Sequence, residues 1–495
     1  MKKTLAMLLA LLTLLAAFAA CVETPNPENG DETTGGEATT EQDAPLDAIP
    51  EDLKFNGEDV VILNRGGMMF ARDEVAVPEL NSEPVNDAIF NRNIVVGDRL
   101  GVNVVSHAIE DSDAAKTLEE MKRVVKAGSD DYDMFACACY ATMPASLGGL
   151  FYDLRDMEYV DLSQSYWMPG YSEAASYHDS QYTATGAIAL STYRLTLVTL
   201  FNKEMFDDKS IPYLYEAVEN DEWTLDFHAT LVADFYQDLN GDARRDEKDL
   251  YGHVSSAGLN LNAYWAACDV PMVGRDAEGA YTWVVDTEKL SNVLDKLLIL
   301  FHESGGSYIC KENEENTAQP EIREMFSKGR AATTTLRLLA VELDEIRSME
   351  QEYGIVPIPK YDQTQKEYAT MMQDQFTVFA IPASVREDKL DMVAATMEVM
   401  ASESLRMVRP AYYEIAIKRK YMSDPIAWDM LDLTFANVKV DPGMVFGEAL
   451  GYPHHKLYTM VKEKRNSVAS EFGKIRTQMN KQLAKFIKKM EQMEE

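Results

Sequence analysis

Basic residues are scarce in this chain of 495 residues. It has 47 lysines and arginines against 82 aspartates and glutamates, which gives a formal net charge of −35. A surface that binds nucleic acid or another polyanion needs an excess of positive charge. The composition therefore excludes nucleic acid as the main partner and leaves a neutral ligand open.

Long apolar runs and the short motifs of common enzymes are also absent. Beyond residue 20, no apolar run approaches the roughly 20 residues that a membrane-spanning helix needs. The chain has no Gly-x-Ser-x-Gly, no His-Glu-x-x-His and no phosphate-binding glycine loop. We expect His454 and His455 to be a surface pair. The sequence favours binding over catalysis, although paired carboxylates for glycoside cleavage stay open.

Cysteine is rare as well, with five residues in the chain. Cys137 and Cys139 lie two positions apart in a predicted strand, which places them on the same face. No histidine is near them in sequence, so we interpret them as buried thiols and not as metal ligands. Cys268 and Cys310 could form a disulfide, and their spacing leaves that question open.

The first 21 residues have the composition of a secretion signal. Two lysines precede an apolar stretch, Leu5 to Leu15, and small residues follow it. The junction Phe18-Ala19-Ala20-Cys21 resembles the lipoprotein box of bacteria, in which the cysteine becomes a lipidated N-terminus. We predict a signal peptide over residues 1–20 and lipidation at Cys21. The protein would then lie on the outer face of the cell membrane, and an ordinary secreted protein is the alternative.

An acidic segment follows the cysteine. From Val22 to Asp52 the chain has ten acidic residues, no lysine and no arginine, and few large apolar side chains. Such a segment cannot bury enough apolar surface to offset the entropy lost on ordering. We predict a disordered tether over residues 21–52.

Strand and helix patterns alternate in the next part of the chain. The predicted elements are a strand at Val60 to Leu63, a helix from Pro84 to Gly101, a strand at Val102 to Val105, a helix from Ala115 to Gly128 and a strand at Met134 to Cys139. This order is typical of a parallel sheet with crossover helices, whose ligands bind beyond the carboxyl ends of the strands. The loops Asn64 to Phe70 and Tyr140 to Leu147 are therefore the ones expected to face a ligand.

Four later segments, in this order, carry a family resemblance. They are Phe201-Asn202-Lys203, then Phe326 to Ala332, then Tyr353 to Pro359 with its Pro-x-Pro ending, and the strand Phe376 to Ala383 with the helix to Glu403. Together they resemble the solute-binding lipoproteins of bacterial ABC importers, of the sugar-binding type related to maltose-binding protein.

The resemblance implies an α/β fold of two lobes with a ligand cleft between them, joined by hinge strands. The first lobe would comprise residues 53–189 with 360–410, and the second 190–359 with 411–495. It also implies a monomer without enzymatic activity that closes around a mono- or oligosaccharide and delivers it to ABC permease subunits. Membrane contact would occur only through the lipid anchor.

Six residues are candidates for ligand binding. Sugar rings stack their apolar faces on aromatic side chains and need fixed polar partners for their hydroxyls. Trp265 lies where the family often has a stacking aromatic, and Trp167 is a second candidate, although core packing is the common role of such residues. The polar candidates are Asn64 and Arg65 after the first strand, Arg337 after the strand at Ala331, and Asp374 before the strand at Phe376.

One acidic loop has the spacing of a calcium site. Counting from Asp238, oxygen-bearing side chains fall at places 1, 3, 5, 9 and 12, the order of an EF-hand loop. The predicted ligands are Asp238, Asn240, Asp242, Arg244 through its carbonyl, Asp246 and Asp249. Place 6 is alanine where the motif has glycine, and place 12 is aspartate where it has glutamate. We predict a structural Ca²⁺ site, and a solvated acidic turn is the alternative.

Two other functions stay open for a surface lipoprotein of this composition. One is a tethered hydrolase acting on glycans, and the other is a glycan-capture protein that has no permease.

Overall fold

Apolar strands and amphipathic helices build two main sheets in this protein. The computed structural model describes residues 46–110, 114–256, 258–310, 320–418 and 425–494. The predicted signal peptide, Cys21 and the tether as far as residue 45 lie outside the described residues. The predicted disorder is wrong for residues 46–52, because Ile49 is buried in the core and Asp47 forms an ion pair with Arg99 at 2.7 Å. All described residues belong to one unit that extends from Pro45 to Glu495.

The strands are short and are numbered here along the chain. They are β1 (Glu58–Arg65), β2 (Val102–Ile109), β3 (Met134–Ala138), β4 (Leu197–Asn202), β5 (Tyr251–Ser256), β6 (Val273–Arg275), β7 (Tyr281–Trp283), β8 (Ser307–Cys310), β9 (Ala331–Arg337), β10 (Tyr353–Val356) and β11 (Thr377–Ala380).

The α-helices are numbered in the same way. They are α1 (Pro84–Leu100), α2 (Ala115–Ala127), α3 (Cys139–Ser146), α4 (Pro169–Ala175), α5 (Leu190–Arg194), α6 (Lys203–Asp208), α7 (Leu214–Glu219), α8 (Leu225–Ala233), α9 (Leu259–Ala267), α10 (Thr287–Leu298), α11 (Pro320–Ser327), α12 (Asp344–Arg347), α13 (Leu390–Glu403), α14 (Arg409–Lys418), α15 (Pro425–Ala436), α16 (Pro442–Val445), α17 (Gly447–Leu450), α18 (His455–Lys462) and α19 (Val468–Glu494).

The first sheet has the strand order β11-β3-β1-β2. Strand β1 lies parallel to both β2 and β3, and β11 runs antiparallel to β3. The crossover helices α1 and α2 end at Gly101 and Gly128, whose φ angles of 66° and 63° suit glycine at a helix end. The predicted order of strand, helix, strand, helix and strand is confirmed.

The second sheet has the order β10-β4-β9-β5-β8. Strand β5 lies parallel to β8 and β9, whereas β4 runs antiparallel to β9 and β10. Thr224 caps the start of helix α8, because its hydroxyl accepts a hydrogen bond from the Phe227 N–H at 3.2 Å. Strands β6 and β7, which lie between β5 and β8 in the chain, pair with each other in a separate two-stranded sheet.

One predicted loop is a helix. Residues 140–147 were predicted to be the loop after the third strand, but α3 occupies Cys139–Ser146 and has Pro144 inside it. Cys139 and Met143 are one turn apart and both are buried, so packing against the core favours the helix. The loop prediction was wrong because tertiary burial outweighs one proline near a helix end.

The cysteines are buried. Cys137 lies in β3 and Cys139 begins α3, and neither thiol is exposed to solvent. Cys268 and Cys310 belong to different apolar clusters, so they form no disulfide with each other. The prediction of buried thiols for Cys137 and Cys139 is confirmed.

The chain passes between the two sheets at an antiparallel pairing of two segments. The Leu197 N–H donates to the Met371 carbonyl at 3.0 Å, and the Gln373 N–H donates to the Leu195 carbonyl at 3.1 Å. We call residues 370–375 the crossing segment. Before it, Lys360 forms an ion pair with Asp221 at 2.6 Å beside the second sheet. The passage therefore lies later in the chain than the predicted lobe boundary at residue 360.

The C-terminal helices pack against elements beside both sheets. Helices α16 and α17 contact α3, and α19 contacts α10 and β7. The apolar stripe of α19 is buried against these elements. None of the described helices combines the length and the apolar character that crossing a bilayer requires.

Candidate ligand-binding site

The carboxyl ends of the parallel strands locate the first group of candidate residues. In the first sheet β1 ends at Arg65 and β3 at Ala138, and in the second sheet β5 ends at Ser256 and β9 at Arg337. Ligands of open α/β sheets bind at such ends. The crossing segment passes between them.

Asn64 and Arg65 are buried at the end of β1. The Asn64 side-chain oxygen accepts a hydrogen bond from the Ser106 hydroxyl at 2.7 Å. The Arg65 guanidinium donates to the Gln375 carbonyl at 2.7 Å and lies 5.3 Å from the ring centre of Phe70. Its Nε atom has no hydrogen-bond partner among the described residues. These contacts fix Arg65 against the crossing segment.

Arg337 reaches the crossing segment from the second sheet. Its guanidinium donates to the Gln373 side-chain oxygen at 2.9 Å, and burial lowers its pKa to about 10. Asp374, the next residue of the segment, is partly buried, and burial raises its pKa to about 6. Arg65 and Arg337 therefore contact the same short segment from the two sheets, and Asp374 is part of that segment.

Trp265 lies in α9 and is only 3% exposed. Its ring stacks on His454, with a centroid separation of 6.3 Å and an interplanar angle of 20°. The indole Nε1 has no hydrogen-bond partner within the described part of the chain. His454 was expected at the surface, but α18 and its preceding turn bury it against this ring. Trp265 thus combines an aromatic face with an unused donor.

A cavity of about 600 Å³ lies beside Trp265. Its walls come from three separate parts of the chain: α4 with the residues before it, the segment from α9 to β6, and the segment from the end of α15 to α16. The first wall precedes residues 195–197, which pair with the crossing segment, and the second wall lies between those residues and the crossing segment, whose Met371 also lines the cavity. Charged residues in the lining are Glu173, Asp269, Arg275, Lys439 and Asp441.

Hydrogen bonds across the cavity hold these walls together. Arg275 donates to the Glu173 carbonyl at 2.9 Å, which joins β6 to α4. Lys439 and Asp269 form an ion pair of 3.6 Å in which both side chains are about half exposed. The ion pair joins the end of α9 to the third wall.

Asp441 is a site residue that sequence reasoning missed. Its carboxylate accepts hydrogen bonds from the N–H groups of Met272 at 2.7 Å and Gly443 at 2.6 Å. Burial raises its pKa to about 6, although these hydrogen bonds oppose the shift. The sequence Asp441-Pro442-Gly443 is a typical helix start, and that was the available signal.

Comparison with known proteins identifies the fold. No protein-family model and no curated protein matches the chain. The GacH receptor of Streptomyces glaucescens matches at 12% identity and a TM-score of 0.53, covering 86% of this chain and 99% of that one. A solute-binding protein of Thermotoga lettingae, bound with α-D-tagatose, matches at 14% identity and 0.52, covering 86% and 100%. The fold is that of the ABC solute-binding proteins.

A third structure with the solute-binding-protein fold is the maltose/maltodextrin-binding domain MalE of Bdellovibrio bacteriovorus, bound to maltotriose. It matches at 14% identity and a TM-score of 0.50, covering 87% of this chain and all of that one. At these identities the likeness establishes the fold. The predicted two-lobe α/β architecture is therefore confirmed, with one of the two main sheets in each lobe.

Trp167 lies in the core of the first lobe of this solute-binding-protein fold. It is 2% exposed, and its indole N–H donates to the Glu398 carboxylate at 3.0 Å. The Tyr166 hydroxyl donates to the same carboxylate. Burial raises the pKa of Glu398 to about 7. With its ring packed and its donor used, Trp167 is not part of the cavity.

Of the six predicted ligand residues, Trp265 alone lines the cavity. Asn64, Arg65, Arg337 and Asp374 lie at the strand ends and the crossing segment. The glutamate and aspartates of the cavity wall carry no sequence motif, because distant parts of the chain bring them together.

The predicted calcium loop lies apart from this cavity. The Asp238 carboxylate accepts hydrogen bonds from the N–H groups of Gly241 at 2.7 Å and Ala243 at 2.9 Å. Ala243 has a φ of 60°, the left-handed conformation that explains why the motif has glycine at place 6. Asp249 is fully buried.

The oxygen donors of this loop suit calcium in type and order. Their carboxylates turn toward backbone N–H groups, and no described group of three or more His, Cys, Asp or Glu side chains has the arrangement of a metal site. Calcium binding therefore stays a prediction.

Proposed function

We propose that this protein is a solute-binding subunit of an ABC importer that captures a mono- or oligosaccharide. The observation that supports this most directly is the cavity beside Trp265, whose walls come from the chain before and after residues 195–197, where the chain first passes between the sheets. A ligand held there would contact both lobes, so binding would favour their closure. The protein captures its ligand without chemical change.

The chemistry of the cavity suits a neutral polyhydroxyl ligand. The indole ring of Trp265 offers an apolar face for a sugar ring, and its Nε1–H can donate to a hydroxyl. The carboxylates of Glu173, Asp269 and Asp441 can accept from hydroxyls, while Arg275 and Lys439 can donate to them. Three acidic side chains against two basic ones disfavour an anionic solute.

Proteins with the same fold support a carbohydrate. The GacH receptor was solved in complex with acarbose, the Thermotoga lettingae protein with α-D-tagatose, and the Bdellovibrio domain with maltotriose. We extend the carbohydrate class, and not a particular sugar, to this chain.

We further propose that the protein acts as a monomer anchored through a lipid at Cys21 on the outer face of the membrane. The signal-like residues 1–20 and the acidic segment that follows Cys21, as far as residue 45, support an anchor followed by a tether. The partners are then ABC permease subunits, which receive the solute from the closed form.

We also propose that Asp238, Asn240, Asp242, Asp246 and Asp249, with the Arg244 carbonyl, hold a structural Ca²⁺. Hard oxygen ligands at EF-hand spacing support this assignment, as does the left-handed turn at place 6. The ion would stabilise the connection between α8 and β5.

Titration of the protein with a panel of mono- and oligosaccharides, followed by calorimetry and thermal melting, tests the proposed function. A sugar at 100 times its dissociation constant should add about 2.7 kcal/mol to the free energy of unfolding. Trp265→Ala should abolish that gain, and Trp265→Phe should retain part of it by keeping an aromatic face.

Trp428→Phe is the matched control, because Trp428 packs on Tyr413 at a ring-centre distance of 5.1 Å and does not line the cavity. The control should bind sugar like the parent. If no saccharide stabilises the protein, or if Trp265→Ala binds as tightly as the parent, the proposal is wrong.

A further inference from the structure

The exposed face of α19 has a charge opposite to that of the rest of the protein. From Lys474 to Met490 there are six basic residues and no acidic residue, in a chain whose net charge is −35. The six are Lys474, Arg476, Lys481, Lys485, Lys488 and Lys489, and all are exposed. We call the five lysines of this set the lysine face.

The opposite side of α19 holds the helix in place. Phe472, Met479, Leu483 and Phe486 are buried at seven-, four- and three-residue spacing. The Phe486 ring lies 4.2 Å from that of Phe446, between ring centres. Because the apolar side packs on the core, the lysine face points outward and has charge, but no apolar surface, to offer a partner.

The arrangement of charges costs stability in water. Lys481, Lys485 and Lys489 follow each other at intervals of four, which makes them neighbours on the helix surface, and like charges at that spacing repel. No ion pair between residues that the structure describes includes a basic residue of α19. A solvated helix face usually alternates the sign of its charges.

The helix dipole does not explain the lysine face. Positive side chains are favoured in the last turn of a helix, but the last turn of α19, which ends at Glu494, has no basic residue. The repulsion therefore has no compensation within the described protein, and an external anion would supply one.

We propose that the lysine face docks on an anionic lipid surface. Each lysine or arginine near such a surface attracts it independently, and the contributions add. The rest of the protein, being acidic, is repelled by the same surface, so the lysine face sets which side of the protein faces the membrane. This inference goes beyond sugar binding and does not depend on the cavity.

Vesicle flotation of the secreted chain carrying Cys21→Ser tests the proposal without a lipid anchor. We expect binding to vesicles of equimolar phosphatidylcholine and phosphatidylglycerol, and none to phosphatidylcholine alone. Lys481→Glu with Lys485→Glu should weaken binding by about tenfold or more, since each lysine contributes roughly a factor of five. Lys481→Arg with Lys485→Arg should bind like the parent.

The matched control is Lys122→Glu with Lys126→Glu, which makes the same charge change on exposed positions of α2. It should bind nearly as well as the parent, and raised salt should release all the binding variants. Binding to neither vesicle type, equal binding to both, or equal loss in the control would overturn the proposal. Sugar titration of the same variants should be unchanged, which separates this test from that of the proposed function.

Discussion

Two tryptophans with nearly the same burial have different roles. The indole N–H of Trp167 donates to Glu398, whereas that of Trp265 has no partner among the described residues. A buried donor without a partner costs free energy, so a protein keeps one where a ligand or water can accept from it. The partner of the indole, and not its burial, distinguishes Trp167 from the candidate ligand residue Trp265.

Glu398 makes the stability of the first lobe dependent on pH. Its pKa is raised from 4.5 to about 7, mainly by burial. A carboxyl group with a raised folded-state pKa stabilises the fold below its unfolded pKa and loses that contribution as pH rises through the folded value. The pH window of this loss is therefore about 4.5 to 7.

We expect Glu398→Gln to flatten the dependence of stability on pH in that window. The parent should lose about 2–3 kcal/mol of unfolding free energy from this group between the two pKa values. Denaturant melts of the parent and the variant at a series of pH values measure the free energy of unfolding of each protein. The difference between the two proteins isolates Glu398, because the other titrating groups are the same in both. The substitution also removes one acceptor for Tyr166 or Trp167, but that cost is the same at every pH. Parallel curves for the two proteins would contradict the prediction.

At the scale of elements, local signals located most helices and strands. Pro84 and Gly101 bound α1, and Thr224 caps α8, because these residues act on their nearest neighbours. Helix α3 was missed because its stability comes from burial of Cys139 and Met143 against distant parts of the chain. Elements with caps are predictable, and an element held by packing alone is not.

The calcium loop gives a prediction at the same scale. Calcium should raise the melting temperature of the protein, and a chelator should reverse the rise, because the ion binds only the folded loop. Asp242→Ala removes one ligand and should abolish most of the calcium-dependent shift. Differential scanning calorimetry with and without calcium measures it.

Asp276→Ala provides the control for this loop. Asp276 is an exposed turn residue that accepts from the Ala280 N–H at 2.9 Å, much as Asp242 accepts from the Arg244 N–H at 2.8 Å. Its variant should keep the full calcium response. If calcium leaves the parent unchanged, the loop is only a solvated turn.

At the scale of the whole molecule, we propose the crossing segment as the pivot of lobe closure. Its backbone pairs with residues 195–197, and the side chains of Arg65 and Arg337 donate hydrogen bonds to it from the two sheets. Domain closure concentrates dihedral change in a few connecting residues of this kind. The same contacts that join the sheets can therefore guide their closure.

We expect a bound saccharide to reduce the radius of gyration measured by small-angle X-ray scattering. The reduction follows from contact of one ligand with both lobes, which stabilises the closed arrangement. Trp265→Ala should show no reduction at the same sugar concentration, while Trp428→Phe should behave like the parent. An unchanged radius in the parent at saturating sugar would exclude closure as the mechanism.

The sequence by itself determined the type and order of the elements, the α/β class and the position of the loop with calcium spacing. These follow from residue periodicity and from caps and turns, which act over a few positions. Only the tertiary structure decided which tryptophan faces a cavity, where the chain crosses between the sheets and which carboxylates surround Trp265. Such properties depend on partners far apart in the chain, as Trp167 and Glu398 are at 231 positions. Local sequence patterns do not predict these properties, because the whole fold determines burial and hydrogen bonding.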